Sequence, residues 1–227
     1  MTATSRPAFY AVSTGTGGVR DWVTLLHPPY TAWHLSYVAI GAALAPNFAL
    51  WRLGGTLAAF FLAVGVAAHA LDELHGRPLR TGIPTRVLVV TAAIGLVLPV
   101  GAGWWYAGVR LLPFMAAGAV LVLAYNLELG GGRLHNGLVF AAGWGGFPVL
   151  VGYYSQDFRL GLPAVLAAGA ACCLSYAQRM LSTFARGVRR RPGQPFVQVA
   201  MLVPAETALT ALAAGLVCLA TALVVSR

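Results

Sequence analysis

The 227-residue sequence contains no lysine and few acids. Its fifteen basic residues are all arginine and it has only six carboxylates, so charged residues make up 9% of the chain, while 59% are hydrophobic. A soluble domain carries roughly 25% charged residues. This shortage of charge excludes an ordinary water-soluble domain. Surplus arginine is typical of the cytoplasmic loops of membrane proteins, and we expect no nucleic-acid partner.

Cysteine is also scarce. The three cysteines are Cys172, Cys173 and Cys218, all within apolar runs, and none has the CxxC spacing of a redox or metal-binding pair. This pattern does not predict a disulfide framework or a thiolate metal site. We interpret all three cysteines as small, apolar packing residues.

Long apolar runs dominate the rest of the sequence. A membrane-spanning helix needs about 20 predominantly apolar residues. Clusters of proline, glycine and arginine separate seven such segments, at about 31–47, 54–71, 85–101, 111–127, 136–154, 161–184 and 199–225. We therefore predict an all-α polytopic membrane bundle of about seven transmembrane helices. Residues 1–30 form an N-terminal segment in this prediction, and residues 31–227 form a single transmembrane domain.

The arginines predict the orientation of these helices. Ten arginines fall in the N-terminal segment and in the loops after the second, fourth and sixth helices, and four fall on the other side. By the positive-inside rule, the N-terminus is cytoplasmic. Arginine in place of lysine, with abundant alanine, glycine, valine and leucine, is typical of a GC-rich genome. We expect the protein to lie in the cell membrane of a bacterium or archaeon.

One short segment, AHALDELHGRPLRTGIP at 68–84, gathers ionisable residues. Spacings of three and four residues put His69, Asp72 and Glu73 on one helix face. Two carboxylates at a helix C-terminus are electrostatically unfavourable and need a positive partner. Either Arg77 or Arg80 folds back onto them as a salt bridge, or a divalent cation binds the three side chains.

A second polar segment, AYNLELGGGRLHN, ends the fourth predicted helix. Its members Tyr125, Asn126, Glu128 and Arg133 lie at the same predicted membrane face as the first segment. Glu128 again needs a partner at a helix C-terminus. That partner is either Arg133, in a pair at the membrane surface, or the polar rim of a shared cavity.

Arginine and acid also meet at the last two predicted helices. Arg179 precedes the cluster ARGVRRR, which either binds the phosphates of a lipid diphosphate or only contacts anionic membrane lipids. Glu206 lies about two turns into the last helix, where it is a candidate for carrying a proton or stabilising a cation. These positions predict a polar cavity at the cytoplasmic face.

Three motifs resemble the UbiA superfamily of intramembrane prenyltransferases. GRPLRTGIP (76–84) is similar to the segment that follows that family's first Asp-rich motif. LHPPYTAWHLSYVAIGAALA (26–45) resembles the family's first span, and GWGGFPVLVGYYSQ (143–156) resembles its fifth. The likeness covers roughly residues 22–185 and keeps the family's order. It implies a helical bundle whose central cavity opens toward the cytoplasm.

The resemblance also implies an activity. Family members bind a prenyl diphosphate through Mg²⁺ and attach the prenyl group to an aromatic or other lipophilic acceptor. For this chain it implies action on an isoprenoid substrate by transfer, cyclisation or diphosphate loss. The candidate catalytic residues are Asp72, Glu73, Glu128, Tyr125 and Asn126. The candidate substrate-binding residues are Arg77, Arg80, Arg133, Arg179 and Glu206. The candidate ligands for Mg²⁺ or another divalent metal are His69, Asp72 and Glu73.

Two other functions stay open. The family's second Asp-rich motif has no counterpart after the sixth predicted helix, where SYAQRMLSTFARGVRRR contains no acid. The main alternative is therefore a UbiA-like protein that binds a quinone, carotenoid or other lipid without catalysis, or a small subunit of a membrane-protein complex. A metal-dependent oxidoreductase or hydrolase ranks third, because enzymes with histidine boxes need more than the five histidines present.

Overall fold

The computed structural model describes residues 6–190 and 195–227, and every regular element within those ranges is a helix. Arg191, which the sequence assigns to the cytoplasmic arginine cluster, lies outside the described residues. The helices in chain order are α1 (Val19–Leu25), α2 (Pro28–Leu44), α3 (Leu50–Leu74), α4 (Thr85–Ala107), α5 (Leu112–Asn126), α6 (Gly137–Asp157), α7 (Leu162–Arg190) and α8 (Pro195–Val225).

A helix occupies each of the seven predicted segments. Within the described residues, five helices are long and apolar enough to cross a membrane: α3, α4 with its extension to Arg110, α6, α7 and α8. Helix α2 has 17 residues and α5 has 15, which is shorter than the roughly 20 that a bilayer requires. The protein is an integral membrane helical bundle. Seven crossings, the cytoplasmic N-terminus and the UbiA-like fold remain predictions.

The helix ends gather around a cavity at one end of the bundle. The C-terminal parts of α3, α5 and α7 meet the N-terminal parts of α2, α6 and α8 there, and each of these helices contributes lining residues. We call this the cavity end; by the arginine pattern it is the predicted cytoplasmic face. The opposite end carries the connections from α2 to α3, from α4 to α5 and from α6 to α7.

The core forms around α2, whose backbone lies directly against α6. A Cβ atom added to Gly41 would lie 2.1 Å from the carbonyl oxygen of Val149, and one added to Gly152 would lie 2.2 Å from that of Val38. Both valines are fully buried. Small residues allow helix backbones to approach closely inside a membrane. Helix packing therefore accounts for two glycines in the segments that resemble the UbiA family.

Two of the helices contain π-helical segments, Phe61–Ala68 in α3 and Ala141–Gly146 in α6. Such segments widen the helix by one residue per turn and are frequent at functional sites. Both lie close to a neighbouring backbone: a Cβ added to Gly145 would lie 2.5 Å from the carbonyl oxygen of Ala171. The wide turns bring backbone carbonyls of α3 and α6 into reach of histidines at the cavity.

A buried carboxylate holds the N-terminal segment in place. Asp21 in α1 is fully buried and accepts hydrogen bonds from the backbone N–H groups of Thr14, Gly15 and Gly17, at 2.6–3.1 Å, and of Gly82 at 2.8 Å. Burial alone would raise the pKa of Asp21, but these four donors outweigh it and lower that pKa. The N-terminal segment is thereby fixed to the loop between α3 and α4.

Candidate functional site

The cavity has a volume of about 830 Å³ and collects most of the ionisable side chains of its end of the bundle. As far as the structure describes it, the lining includes all five histidines, seven arginines and three carboxylates. The charged members are Arg6, Arg77, Arg80, Arg179, Arg186, Arg189, Arg190, Asp72, Glu128 and Glu206. The lining therefore has a clear surplus of positive charge, which favours an anionic ligand.

The two adjacent carboxylates of the predicted site have different environments. Glu73 is fully buried and does not line the cavity. Its Oε2 accepts the backbone N–H of Leu79 at 2.9 Å, and its Oε1 accepts both the N–H and the hydroxyl of Thr81 at 2.8 Å. Glu73 thus holds the loop that contains the RPL motif, and its hydrogen-bond partners are Leu79 and Thr81, not the nearby arginines.

Asp72 lines the cavity instead. Its side chain is half-buried and has no hydrogen-bond or ion-pair partner in the part of the chain that the structure describes. Arg77 turns away from it and donates to the carbonyl of Ile83 at 2.6 Å and to the hydroxyl of Thr85 at 2.9 Å. The predicted salt bridge of Asp72 or Glu73 with Arg77 or Arg80 therefore does not form. Asp72 is free to contact a ligand.

Two histidines are oriented by carbonyls of the π-helical segments. The Nδ1 atom of His34 lies 2.8 Å from the oxygen of Trp144, and that of His69 lies 3.1 Å from the oxygen of Gly65. Because a carbonyl can only accept a hydrogen bond, Nδ1 carries the proton in both rings. When these rings are neutral, their Nε2 atoms are hydrogen-bond acceptors.

A third histidine stacks on the second. The His27 ring lies 4.0 Å from the His69 ring at an angle of 17°, and its Nδ1 is 2.6 Å from the hydroxyl of Tyr10. The Nε2 atom of His27 is buried and has no hydrogen-bond partner among the described residues. Burial, with a smaller contribution from His69, holds the pKa of His27 well below its ordinary value. The sequence gives little signal for this group, since the stack joins two distant segments.

Glu206 forms an ion pair with an arginine, whereas Glu128 lies beside two histidines. Glu128 lies 3.7 Å from Nε2 of His75 and 3.8 Å from Nδ1 of His135, so the alternative pair with Arg133 is not formed in the described structure. Glu206 accepts two hydrogen bonds from Arg189, at 2.6 Å and 2.9 Å. Among the described residues, Asp72 is the carboxylate of the lining without an ion-pair contact.

Arg179 is held by aromatic rings on the cavity wall. Its guanidinium donates to the hydroxyl of Tyr125 and lies 5.7 Å and 5.3 Å from the ring centres of Tyr125 and Phe140. The Phe140 ring in turn stacks on Trp144 at 5.7 Å. Cation–π contacts of this kind orient a guanidinium without neutralising its charge. Arg179 is therefore fixed in direction and still available to an anion.

The structure brings together most of the residues predicted from sequence. Those that line the cavity are His69, Asp72, Arg77, Arg80, Tyr125, Asn126, Glu128, Arg179 and Glu206. Glu73 and Arg133 lie outside the lining. Sequence reasoning missed several lining residues, chiefly Tyr10, His27, Tyr30, His34 and Gln178. Arg186 also lines the cavity, and its arginine cluster was one of the two alternatives for phosphate binding.

The predicted metal ligands do not form a ligand set. Glu73 uses both oxygens in the loop, and Nδ1 of His69 is occupied by Gly65. Within residues 6–190 and 195–227, no three side chains of His, Cys, Asp or Glu are arranged to hold a metal ion. The residues His69, Asp72 and Glu73 thus do not fit a three-ligand site, and a divalent cofactor remains a prediction.

Comparisons with protein-family models, with curated proteins and with solved structures found no match for this chain. Length and hydropathy of its helices define it as an integral membrane protein. Membership of the UbiA superfamily remains a prediction that rests on the three sequence motifs.

Proposed function

We propose that the protein binds an isoprenoid diphosphate in the cavity and acts on it by transfer, cyclisation or loss of the diphosphate. The observation that carries this proposal is the charge of the lining, where, among the described residues, seven arginines face three carboxylates, one of which, Glu206, already pairs with an arginine. A surplus of guanidinium groups at a membrane surface favours a phosphate-bearing ligand.

Arg179 and Arg186 are the best-placed phosphate ligands. Arg179 is oriented by Tyr125 and Phe140, as described above. Arg186 lies two turns further along α7, lines the cavity and is exposed, and its one hydrogen bond to a described partner is to the hydroxyl of Thr183 at 3.2 Å. Two guanidinium groups on one helix face can both donate hydrogen bonds to the oxygens of a diphosphate.

The aromatic wall supports an isoprenoid chain. The rings of Tyr125 and Trp144 lie 4.4 Å apart, and Phe140 stacks on Trp144 at an angle of 4°. Aromatic faces attract cations, and a cavity that excludes water protects a reactive intermediate. The aromatic rings would stabilise an allylic carbocation formed by loss of the diphosphate, and the cavity would protect it from water.

Asp72 is the candidate for chemistry on the ligand. Its free carboxylate lies in the same cavity as the arginines, so it can accept a proton from an acceptor or hold a cation that accompanies the diphosphate. Replacing Asp72 by Asn keeps the size of the side chain and removes its charge. We therefore expect Asp72→Asn to lower product formation more than it lowers binding.

The test is a titration of the purified protein with geranylgeranyl diphosphate, with geranylgeraniol as the matched ligand that lacks the phosphates. Arg186→Gln should weaken diphosphate binding by at least about tenfold, since a charge-assisted hydrogen bond contributes about 1.5–3 kcal/mol. Arg133→Gln is the control, because Arg133 lies at the same end of the bundle outside the cavity lining. Equal binding of the alcohol and the diphosphate would contradict the proposal.

A product assay separates the enzyme from the lipid-binding alternative. The assay would present geranylgeranyl diphosphate with a panel of quinone precursors and would measure both diphosphate release and prenylated products. Diphosphate-dependent binding without either product would leave a non-catalytic lipid-binding protein.

A further inference from the structure

An apolar groove of about 340 Å³ runs along the bundle between α3, α4, α5 and α6. It begins at Trp51 and Tyr106, at the opposite end, and reaches Trp144, which also lines the cavity. On α3 it extends from Trp51 to Val64, a distance of roughly 20 Å at 1.5 Å per residue. One leaflet of a bilayer has a hydrocarbon thickness of about 15 Å. The groove is therefore long enough for the acyl chain of a lipid.

The groove starts at a guanidinium with unused donors. Arg52 lines it, and its Nη1 donates to the backbone carbonyl of Gln156, which fixes the orientation of the group. Its Nε atom is buried without a hydrogen-bond partner, and no acid lies within ion-pair distance of Arg52 in the described chain. A buried cationic donor without a partner is unfavourable, so this edge of Arg52 favours an anionic acceptor.

The other polar side chains at this end of the groove already have partners. Thr56 donates to the carbonyl of Arg52 at 2.8 Å, Ser155 donates to the carbonyl of Gly152 at 2.9 Å, and Tyr106 donates to the carbonyl of Ser155 at 3.1 Å. The Trp51 ring packs edge-on against Tyr106 at 5.5 Å. Tryptophan and tyrosine are enriched at the level of lipid headgroups. Arg52 thus lies at headgroup depth beside an apolar channel.

The geometry points to a binding site for an anionic phospholipid in the leaflet opposite the cavity, with the lipid phosphate on Arg52 and one acyl chain in the groove. Guanidinium pairs with phosphate through two parallel hydrogen bonds, and the small and aromatic lining suits a hydrocarbon chain. The site is separate from the cavity and does not depend on the proposed diphosphate chemistry. Trp144 is the side chain that the two share.

Two neighbouring glycines allow a matched test. A Cβ added to Gly54 or to Gly55 meets no atom within 4 Å, but only Gly55 lines the groove. Gly55→Trp should therefore fill the groove without disturbing the helices, whereas Gly54→Trp should place the same ring outside it. Arg52→Gln removes the guanidinium, and Arg159→Gln is its control, since Arg159 is exposed at the same end and does not line the groove.

The measurement is lipid retention by the full-length protein. The protein is reconstituted in nanodiscs that contain phosphatidylglycerol and phosphatidylcholine, then released, and the bound lipids are counted by native mass spectrometry. We expect selective retention of phosphatidylglycerol, reduced at least about tenfold by Arg52→Gln and similarly by Gly55→Trp, with both controls unchanged. If Arg52→Gln does not fold, the pair of glycine variants decides alone.

Three outcomes would overturn the proposal. Equal retention of phosphatidylcholine would remove the preference for a net anionic lipid, since both lipids carry a phosphate and can have the same chains. Unchanged retention in Gly55→Trp would show that the lipid lies elsewhere. If Gly55→Trp weakens binding of geranylgeranyl diphosphate and leaves phosphatidylglycerol retention intact, the groove holds the chain of the cavity ligand instead. If the wild type fails to bind the diphosphate at all, only the proposed function is contradicted, and the lipid site is unaffected.

Discussion

The two ends of the bundle use the same polar residue types in different ways. At the opposite end they join helix ends: Asn47 donates to Asp157 at 2.6 Å, Gln156 accepts the backbone N–H of Ala49 at 2.8 Å, and Arg227 donates to the carbonyl of Ala45 at 2.5 Å. At the cavity end, arginines, histidines and Asp72 face an open volume. Polar groups that are not needed for the fold are the ones available for a ligand.

The same contrast exists between adjacent residues at the cavity end. Glu73 is fully buried and makes three hydrogen bonds to the following loop, whereas its neighbour Asp72 makes none with its side chain in the described structure. Buried polar groups have to be paired, so a carboxylate that stays unpaired beside a cavity is costly to the fold. We therefore expect the fold to depend on Glu73 and the ligand to depend on Asp72.

Glu73→Ala should have the largest effect on stability. The substitution leaves the buried N–H groups of Leu79 and Thr81 and the hydroxyl of Thr81 without an acceptor. Each lost acceptor lowers the free energy of unfolding by about 1–3 kcal/mol, so we expect a total decrease near 4 kcal/mol. The measurement is the thermal unfolding midpoint in detergent. Asp72→Ala is the matched control and should leave that midpoint unchanged or raise it, because it removes an unpaired carboxylate. Equal losses in the two variants would contradict the division of roles.

Gly41→Ala should have the next largest effect. The added Cβ would lie 2.1 Å from the carbonyl oxygen of Val149, so α2 and α6 would have to separate. Overpacking of this kind costs about 1–3 kcal/mol. Gly54→Ala is the control in an open position and should stabilise α3 by up to about 1 kcal/mol. If Gly41→Ala leaves the thermal unfolding midpoint unchanged, the two helices can move apart without loss of stability.

The helices were predictable because their signal is local. Apolar runs bounded by proline, glycine and arginine predicted seven helical segments, and the structure has a helix in each of them. The i, i+3 and i+4 spacing placed His69 and Asp72 on one helix face, and both side chains line the cavity. Charge clustering predicted the cavity end as the polar one. Each of these inferences needs only neighbouring residues.

The missed features depend on contacts between distant segments. The pairing of Glu73 with Leu79 and Thr81 requires the path of the loop, which residue types do not specify. The stack of His27 on His69 requires α2 and α3 to meet at the cavity, and Asp21 reaches Gly82 across the chain. The π-helical segments also left no distinct sequence pattern, although they orient His34 and His69.

Asp21 should give the cavity end a stability that depends on pH. Its pKa is lowered in the folded protein, so its contribution is complete above the unfolded value of about 3.9 and is lost as pH falls through the lower folded value. We expect Asp21→Asn to lower the free energy of unfolding by about 2 kcal/mol at neutral pH. The difference from wild type should shrink in strong acid, as measured by thermal unfolding across pH. A constant difference would contradict the role of the charge.

The smallest expected effect concerns divalent cations, and it tests the contrast between the arginine-rich cavity and the metal site predicted from sequence. Tyr125 and Phe140 orient Arg179 at the cavity, Arg186 lines the same cavity, and Glu73 is committed to its loop. A chelator should therefore weaken binding of geranylgeranyl diphosphate by less than about threefold, which is under 1 kcal/mol. Arg186→Gln should weaken it by more than the chelator does. If the chelator instead abolishes binding, and Asp72→Asn does the same without affecting the unfolding midpoint, then Asp72 binds a cation with the diphosphate and the arginines are secondary to it.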